Sequence, residues 1–334
     1  MFSGFIKGRL LIRFFKIGTA STSILVTFMI LAACSGTSSE NPILIEKNLE
    51  QNVAESPRFP IDIPNGQGGM LRLNKSPERI ISLSPAMTEI IFALGADKNL
   101  VAADDFSDYP AQAMKLPKVG NAYNVDLEQI VNYNPDLVLL SFARFVQNIE
   151  DLGIPVLFQP PPKDLTGVLE IIRLTGDWTG NPHIASELIK DMEERIKATL
   201  SEIDSVPNRP IVFYELDPLL FTAGPSSFVG NLLTLLKAEN LVKESEGAFP
   251  QLSAEIIISR NPDIIILGDS SEFTPQKETA EIVRNRPGWS SISAVKKGRI
   301  YTIDPSLVSR PGPRIVDGLE KLASLIYPSK FSQK

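Results

Sequence analysis

The feature that most constrains this chain is an internal repeat at an offset of 127 residues. The segment Val125-Asp-Leu-Glu-Gln-Ile-Val-Asn-Tyr-Asn-Pro-Asp-Leu-Val-Leu-Leu140 aligns without gaps to Leu252-Ser-Ala-Glu-Ile-Ile-Ile-Ser-Arg-Asn-Pro-Asp-Ile-Ile-Ile-Leu267, with six of sixteen positions identical. Each copy reads as an N-cap (Asp126 or Ser253), a short helix, an Asn-Pro-Asp turn and a wholly apolar strand. A strand apolar on both faces belongs inside a parallel sheet covered by helices. Two copies therefore imply two similar α/β lobes.

The surrounding pattern agrees. A hairpin is expected over 58–73, with its turn at 65–69, followed by strand-like runs at 79–83, 101–103, 137–141 and 156–159. Helical spacing appears at 88–94, 126–132 and 165–176. Between the repeats, Ile184, Leu188, Met192, Ile196, Leu200 and Ile203 recur every three or four residues. A helix of that length spans about 30 Å and would join two Rossmann-like lobes as a rigid spine, with a ligand cleft between them. An ordinary surface helix inside one larger domain is the alternative. The expected boundaries are 58–181 for the N-terminal lobe, 182–206 for the connecting helix and 207–334 for the C-terminal lobe. In the last of these, strands are expected at 211–216 and 300–303 and helices at 227–237 and 313–327.

The first residues carry Lys7, Arg9, Arg13 and Lys16 and no acidic residue, ahead of an apolar run from Ile17 to Ala33. The run ends in Leu31-Ala-Ala-Cys34, which matches a lipobox: residues 1–33 read as a lipoprotein signal peptide and Cys34 as the lipidated residue. An uncleaved membrane anchor is the competing reading. Residues 34–57 are polar and lack periodicity, as a tether does. Cys34 is the only cysteine, so no internal disulfide is available and the fold must be held by its core. Roughly 300 residues remain after cleavage, enough for two ordinary domains. The net charge of −6 falls to about −10 without the four N-terminal cations, which argues against nucleic acid as a partner. The expected location is extracytoplasmic, lipid-anchored, in a periplasm or at a cell surface.

Catalytic machinery is scarce. A Ser-His-Asp or Cys-His site would have to be built around the single histidine, His183, which reads as a surface residue at a helix start. There is no Gly-x-Ser-x-Gly elbow, no Gly-x-x-x-x-Gly-Lys loop and no Gly-x-Gly-x-x-Gly fingerprint. Metal capture by several histidines is ruled out by composition. Binding fits better than catalysis, with no catalytic residue, resident metal or cofactor expected.

Several motifs in order then resemble a known family. Arg79-Ile-Ile-Ser-Leu-Ser-Pro-Ala-Met-Thr-Glu89, Phe106-Ser-Asp-Tyr-Pro110, Leu127-Glu128 leading into Asn134-Pro-Asp136, and Arg310-Pro-Gly-Pro-Arg314 look like the solute-binding proteins of iron-chelate and cobalamin ABC importers. The resemblance covers about Arg79 to Leu325. It implies two α/β lobes joined by a rigid helix, a monomer, and delivery of a captured ligand to a permease dimer with its ATPase subunits. It also implies that Glu128 and Glu255, one per repeat copy, pair with permease arginines, although an acidic residue in the first turn of a helix is favoured by the macrodipole alone.

For the cleft, the resemblance points to Ser84, Pro85, Ala86, Phe106, Tyr123, Phe142, Phe249 and Arg310. Aromatic faces suit a flat macrocycle and an arginine suits an anionic group. Phe142 could equally be core, and Arg310 could tie down the last helix. Tyr214 and Glu215, at a strand end, are further candidates for an iron chelate or haem. Where cobalamin binders of the family carry tryptophans, this chain has Ala122 beside Tyr123, Ser141 beside Phe142, and Phe249. The acidic partner of the arginine is replaced by Ser306. A metal-chelate ligand carrying cobalt or iron is expected, cobalamin or another corrinoid first and haem or a ferric siderophore next. A chelatase- or lyase-like enzyme and a sensory lipoprotein on the same scaffold are the readings from other classes.

Overall fold

The computed structural model describes residues 59–268 and 279–331. Cys34, the apolar run before it and the expected tether to position 57 lie outside the described residues.

The described chain opens on an antiparallel hairpin, β1 (Ile61–Asn65) and β2 (Gly69–Leu73), paired from Ile61↔Leu73 to Asn65↔Gly69. A first parallel sheet is built from β3 (Ile80–Leu83) and β4 (Leu100–Ala103). A small ribbon of β5 (Gly120–Asn121) and β6 (Asn124–Val125) follows, and then the remaining strands of that sheet, β7 (Leu137–Leu140) and β8 (Val156–Phe158). Its order is β4-β3-β7-β8. The helices of this half are α1 (Pro85–Ala93), α2 (Leu127–Asn132), α3 (Val146–Glu150) and α4 (Leu165–Thr179). The hairpin covers the β8 edge: the Gly66 amide donates to the Phe158 carbonyl at 2.8 Å and the Phe158 amide donates to the Asn65 side chain at 3.2 Å. That removes a free edge which would otherwise invite pairing with another chain.

After α5 (Pro182–Glu202) the pattern repeats. Strands β9 (Ile211–Glu215), β10 (Glu239–Asn240), β11 (Ile264–Leu267) and β12 (Ile300–Thr302) form a second parallel sheet in the order β10-β9-β11-β12. Its helices are α6 (Phe228–Leu235), α7 (Ala254–Arg260), α8 (Ala280–Arg284), α9 (Ser293–Lys296), α10 (Pro305–Ser309), α11 (Ile315–Ile326) and α12 (Pro328–Phe331). Both sheets thus place their first strand beside their third. The sequence repeat is the α2–β7 unit and its counterpart α7–β11. In each turn the asparagine takes a left-handed backbone, φ 44° at Asn134 and 50° at Asn261, which this residue type tolerates better than most. The aspartate then reaches to the head of the neighbouring strand. Asp136 accepts from the amides of Glu78 and Arg79 at 2.8 and 3.0 Å, and Asp263 accepts from the amide of Ile211 at 3.2 Å. The Asn-Pro-Asp turn therefore sets the register of third strand against first in both lobes.

Side-chain alternation along the strands divides the core. Ile80, Leu137 and Leu139 face inward with Val212, Tyr214, Ile264 and Ile266 into one apolar cluster that continues through Met192 of α5 and Leu319 of α11. Their neighbours Ile81, Val138 and Leu140 face outward into a cluster of the first sheet alone, and Phe213, Ile265 and Leu267 into one of the second. The lobes share one core through the spine, so parting them would expose apolar surface.

The spine departs from its expected face at one end. Ala185 is buried while Ile184 is 40 % exposed. The cause is a close crossing of α4: a Cβ on Gly176 would stand 2.4 Å from the Cβ of Ala185, so only small residues fit there. Further along, Arg195 donates to Glu320 at 3.0 and 2.7 Å and to Asp317 at 2.6 Å, fastening α5 to α11.

Candidate ligand-binding site

In a parallel sheet whose chain leaves two adjacent strands in opposite directions, a crevice opens at their carboxyl ends. In the first sheet those strands are β3 and β7, and the residues that follow them are Ser84 and Ser141. The Ser141 hydroxyl donates to the Ser84 hydroxyl at 2.6 Å. Ser84 is also the N-cap of α1, accepting from the Met87 amide at 3.4 Å, with Pro85 at the first helical position where no amide donor is needed. Behind this pair runs a buried row of hydroxyls. Ser82 donates to the Ser84 carbonyl at 3.0 Å, and the Thr88 hydroxyl lies 2.9 Å from that of Ser82 and 2.8 Å from that of Ser107. Ser107 in turn hydrogen-bonds Asp104. Burial pushes the Asp104 carboxyl up to about 6, against the opposing pull of Ser107, Lys118 and Arg310. Lys118 donates to the carbonyls of Asp104 and Ser107 at 2.9 and 2.7 Å, and burial lowers its own affinity for a proton.

The opposite wall comes from the second lobe. Helix α10 starts on the Asp304 cap with Pro305 at its first position and delivers the chain to Arg310. Arg310 grips Asp108 of the first lobe with both terminal nitrogens, the Nη2 contact at 3.2 Å, and lies 3.5 Å from Glu89. Arg314 donates to the two Glu89 oxygens at 2.8 and 2.5 Å and stacks its guanidinium 3.9 Å over the Tyr109 ring. Two arginines of one lobe thus clamp two carboxylates of the other. Burial pushes the Asp108 carboxyl up, but the hydrogen bond and charge of Arg310 outweigh it and hold it below the usual carboxylate range.

Between the walls lies a cavity of about 200 Å³ that unites Ser84, Pro85, Ala86, Phe142 and Arg310 of the expected residues. Gln159 and the Pro160-Pro161-Pro162 run complete it. These went unrecognised in the sequence, although they follow β8 and strand ends of this kind meet the crevice. Glu89, Asp108 and Arg314 were visible as motif residues without a role; each partner lies some two hundred positions away, and one sequence gives no signal for the pairing. Phe106, Tyr123 and Phe249 are exposed on loops and do not line the cavity. Arg310 lines the cavity as one of its two sequence readings had it, and it also spans the lobes to Asp108.

Tyr214 is corrected. It is 2 % exposed, because alternation on β9 turns it with Val212 into the shared core, where its ring occupies the space a Cβ on Gly268 would take. Glu215, fully buried, is bound by Arg286 at 2.5 and 2.7 Å. His183 is an exposed residue in the first turn of α5, 3.6 Å from Glu187. Glu128 and Glu255 are exposed in the first turns of α2 and α7. The Ser253 hydroxyl and the local backbone hold the Glu255 carboxyl below its usual range. Among the described residues no group of three His, Cys, Asp or Glu side chains is placed to hold a metal ion.

Two parallel α/β lobes of one topology, a helix shared between them and a crevice at the strand ends closed from the opposite lobe define a two-lobed solute-binding protein. The chain belongs to the periplasmic binding protein family, whose signature matches residues 80–307. It is 30 % identical over 321 residues, 93 % of this chain and 97 % of the other, to the uncharacterized ABC transporter substrate-binding lipoprotein YvrC of Bacillus subtilis (strain 168). Among solved structures it is similar to the periplasmic vitamin B12 binding protein BtuF of Vibrio cholerae, with TM-score 0.65 and 25 % identity over 77 % of this chain and 99 % of that one. It is likewise similar to the periplasmic heme-binding protein RhuT of Roseiflexus sp. RS-1, with TM-score 0.67 and 25 % identity over 76 % and 99 %. By family the chain is a binding protein rather than an enzyme.

Proposed function

We propose that this chain is an extracytoplasmic lipoprotein that captures a metal-chelate ligand, cobalamin or another corrinoid in first place, and hands it to an ABC permease. The observation that carries the reading is the cavity at the β3–β7 crevice, where strand-end hydroxyls and Phe142 of one lobe meet Arg310 of the other. A space of about 200 Å³ is below the range that encloses a ligand of drug size. It seats an edge of a macrocycle, and the exposed rings of Phe106, Tyr123, Phe142 and Phe249 supply apolar faces for the rest. The name of the Vibrio cholerae protein favours a corrinoid.

Haem or a ferric siderophore is the second reading, favoured by the likeness to the Roseiflexus protein. Lipid anchoring at Cys34 is supported by the lipobox and by the Bacillus relative's description as a lipoprotein. The lobes are read as 58–181 and 207–334, joined by 182–206, in a monomer that meets the permease dimer through Glu128 and Glu255. Purified soluble body titrated in parallel with cyanocobalamin, haemin and ferric siderophores, followed by absorbance, tests the assignment. A saturable response to cobalamin is expected, and a response to none of them refutes the reading.

A further inference from the structure

Arg310 and Arg314 of one lobe balance Asp108 and Glu89 of the other, two charges against two. Arg310 is the one charged side chain among the described residues lining the cavity, and both of its terminal nitrogens are already committed to Asp108, with Glu89 behind. Arg314 is equally committed to Glu89. The rest of the wall is uncharged, made of prolines and other apolar side chains, serine hydroxyls and the Gln159 amide; the polar ones can donate to and accept from uncharged groups but cannot neutralise an anion. Arg144, close by in sequence, lies outside the lining and places its guanidinium 5.3 Å from the Phe145 ring. A ligand carboxylate or phenolate that takes the edge of Arg310 now held by Asp108 displaces that carboxylate and leaves it beside Glu89, with one negative charge in excess among the ligand and these four groups.

We infer that Asp108 is a specificity-determining residue: by occupying Arg310 it makes the cleft select metal chelates of zero net charge and reject anionic ones. This rests on reading the cleft as the ligand site. The inference cuts across ligand families. Cyanocobalamin and a neutral ferric hydroxamate fall on the accepted side, and haemin with its two propionates and a ferric catecholate fall on the rejected side. Its basis is opposition rather than attraction, the way specificity is commonly built against near-competitors.

The test is a binding panel of those four compounds on wild type, Asp108→Asn and Asp108→Asn with Arg310→Gln. In wild type a neutral chelate is expected to bind at least about tenfold tighter than either anionic one. Asp108→Asn, near in shape, is expected to shift the ratio of anionic to neutral affinity about tenfold in favour of the anionic compounds. The gain should vanish in the double variant, because it needs the released arginine; general loosening of the lobes would shift all four compounds together. Tightest wild-type binding of haemin or the catecholate, with no change of preference in Asp108→Asn, overturns the inference while leaving a metal-chelate binder intact. Binding of none of the four overturns the cleft reading and the inference with it.

Discussion

Glu89 and Arg314, 225 positions apart, are joined by hydrogen bonds of 2.8 and 2.5 Å across the lobe boundary, and Glu89 is 3 % exposed. With Asp108 and Arg310 alongside, the boundary is held by paired, largely desolvated charges as well as by the shared apolar core. Such pairs add little over an apolar contact of the same shape, yet losing one partner strands the other. Small lobe movements are the expected consequence of both features.

Replacing Glu89 by alanine leaves Arg314 without its carboxylate and Arg310 with one neighbour fewer. The expected loss is about 3–5 kcal/mol of stability, read as a lowered midpoint of urea unfolding. A loss below about 1 kcal/mol, the range of exposed pairs, would show that water reaches the pair freely.

Asp104 sets a pH dependence of unusual sign. Its carboxyl is raised from 3.8 to about 6 by burial, so the folded state binds the proton more tightly than the unfolded state. The associated stability is fully present below the unfolded value and is lost as pH rises through about 6. The magnitude is on the order of 3 kcal/mol at most. Asp104→Asn removes this contribution. The difference in unfolding free energy between wild type and variant, measured from pH 4 to 7.5, should therefore move in favour of the variant as pH rises. A flat difference would mean that Asp104 is ionised throughout in the fold.

The sheets were legible because their signal is local. The paired Asn-Pro-Asp turns, the apolar runs and the caps at Asp126 and Ser253 lie within a few residues of what they specify. Helix α10 was equally marked by Asp304-Pro305 but is only five residues long, too short for periodicity to appear. What sequence could not give is relative placement. The inward turn of Tyr214 follows from which face of β9 joins the core shared by the two sheets, and the commitment of Arg310 follows from the distance between lobes; neither is written near those residues. The cavity residues of the β3 end were found by resemblance, whereas the β8 end needed the sheet order.

The crossing of α4 and α5 offers a test of the spine. A Cβ at Gly176 would stand 2.4 Å from Ala185, so Gly176→Val forces the helices apart. Overpacking of this kind costs about 1–3 kcal/mol, and because the shared core runs along α5 the loss should appear in one cooperative thermal transition. Two separated transitions would show that the lobes unfold independently.

Glu128 and Glu255 stand at equivalent places of the two repeats, exposed, each one residue inside its helix start and on opposite lobes. Local helix chemistry explains an acid at either place but gives no reason for the same acid at both. If they dock the permease, Glu128→Ala with Glu255→Ala should leave ligand affinity within about twofold of wild type, since neither residue lines the cavity. Uptake through the reconstituted cognate importer should fall by about tenfold or more, with each single variant intermediate and the wild-type rate declining as salt screens the contact. Undiminished uptake by the double variant would assign both glutamates to helix stability alone, through the macrodipole.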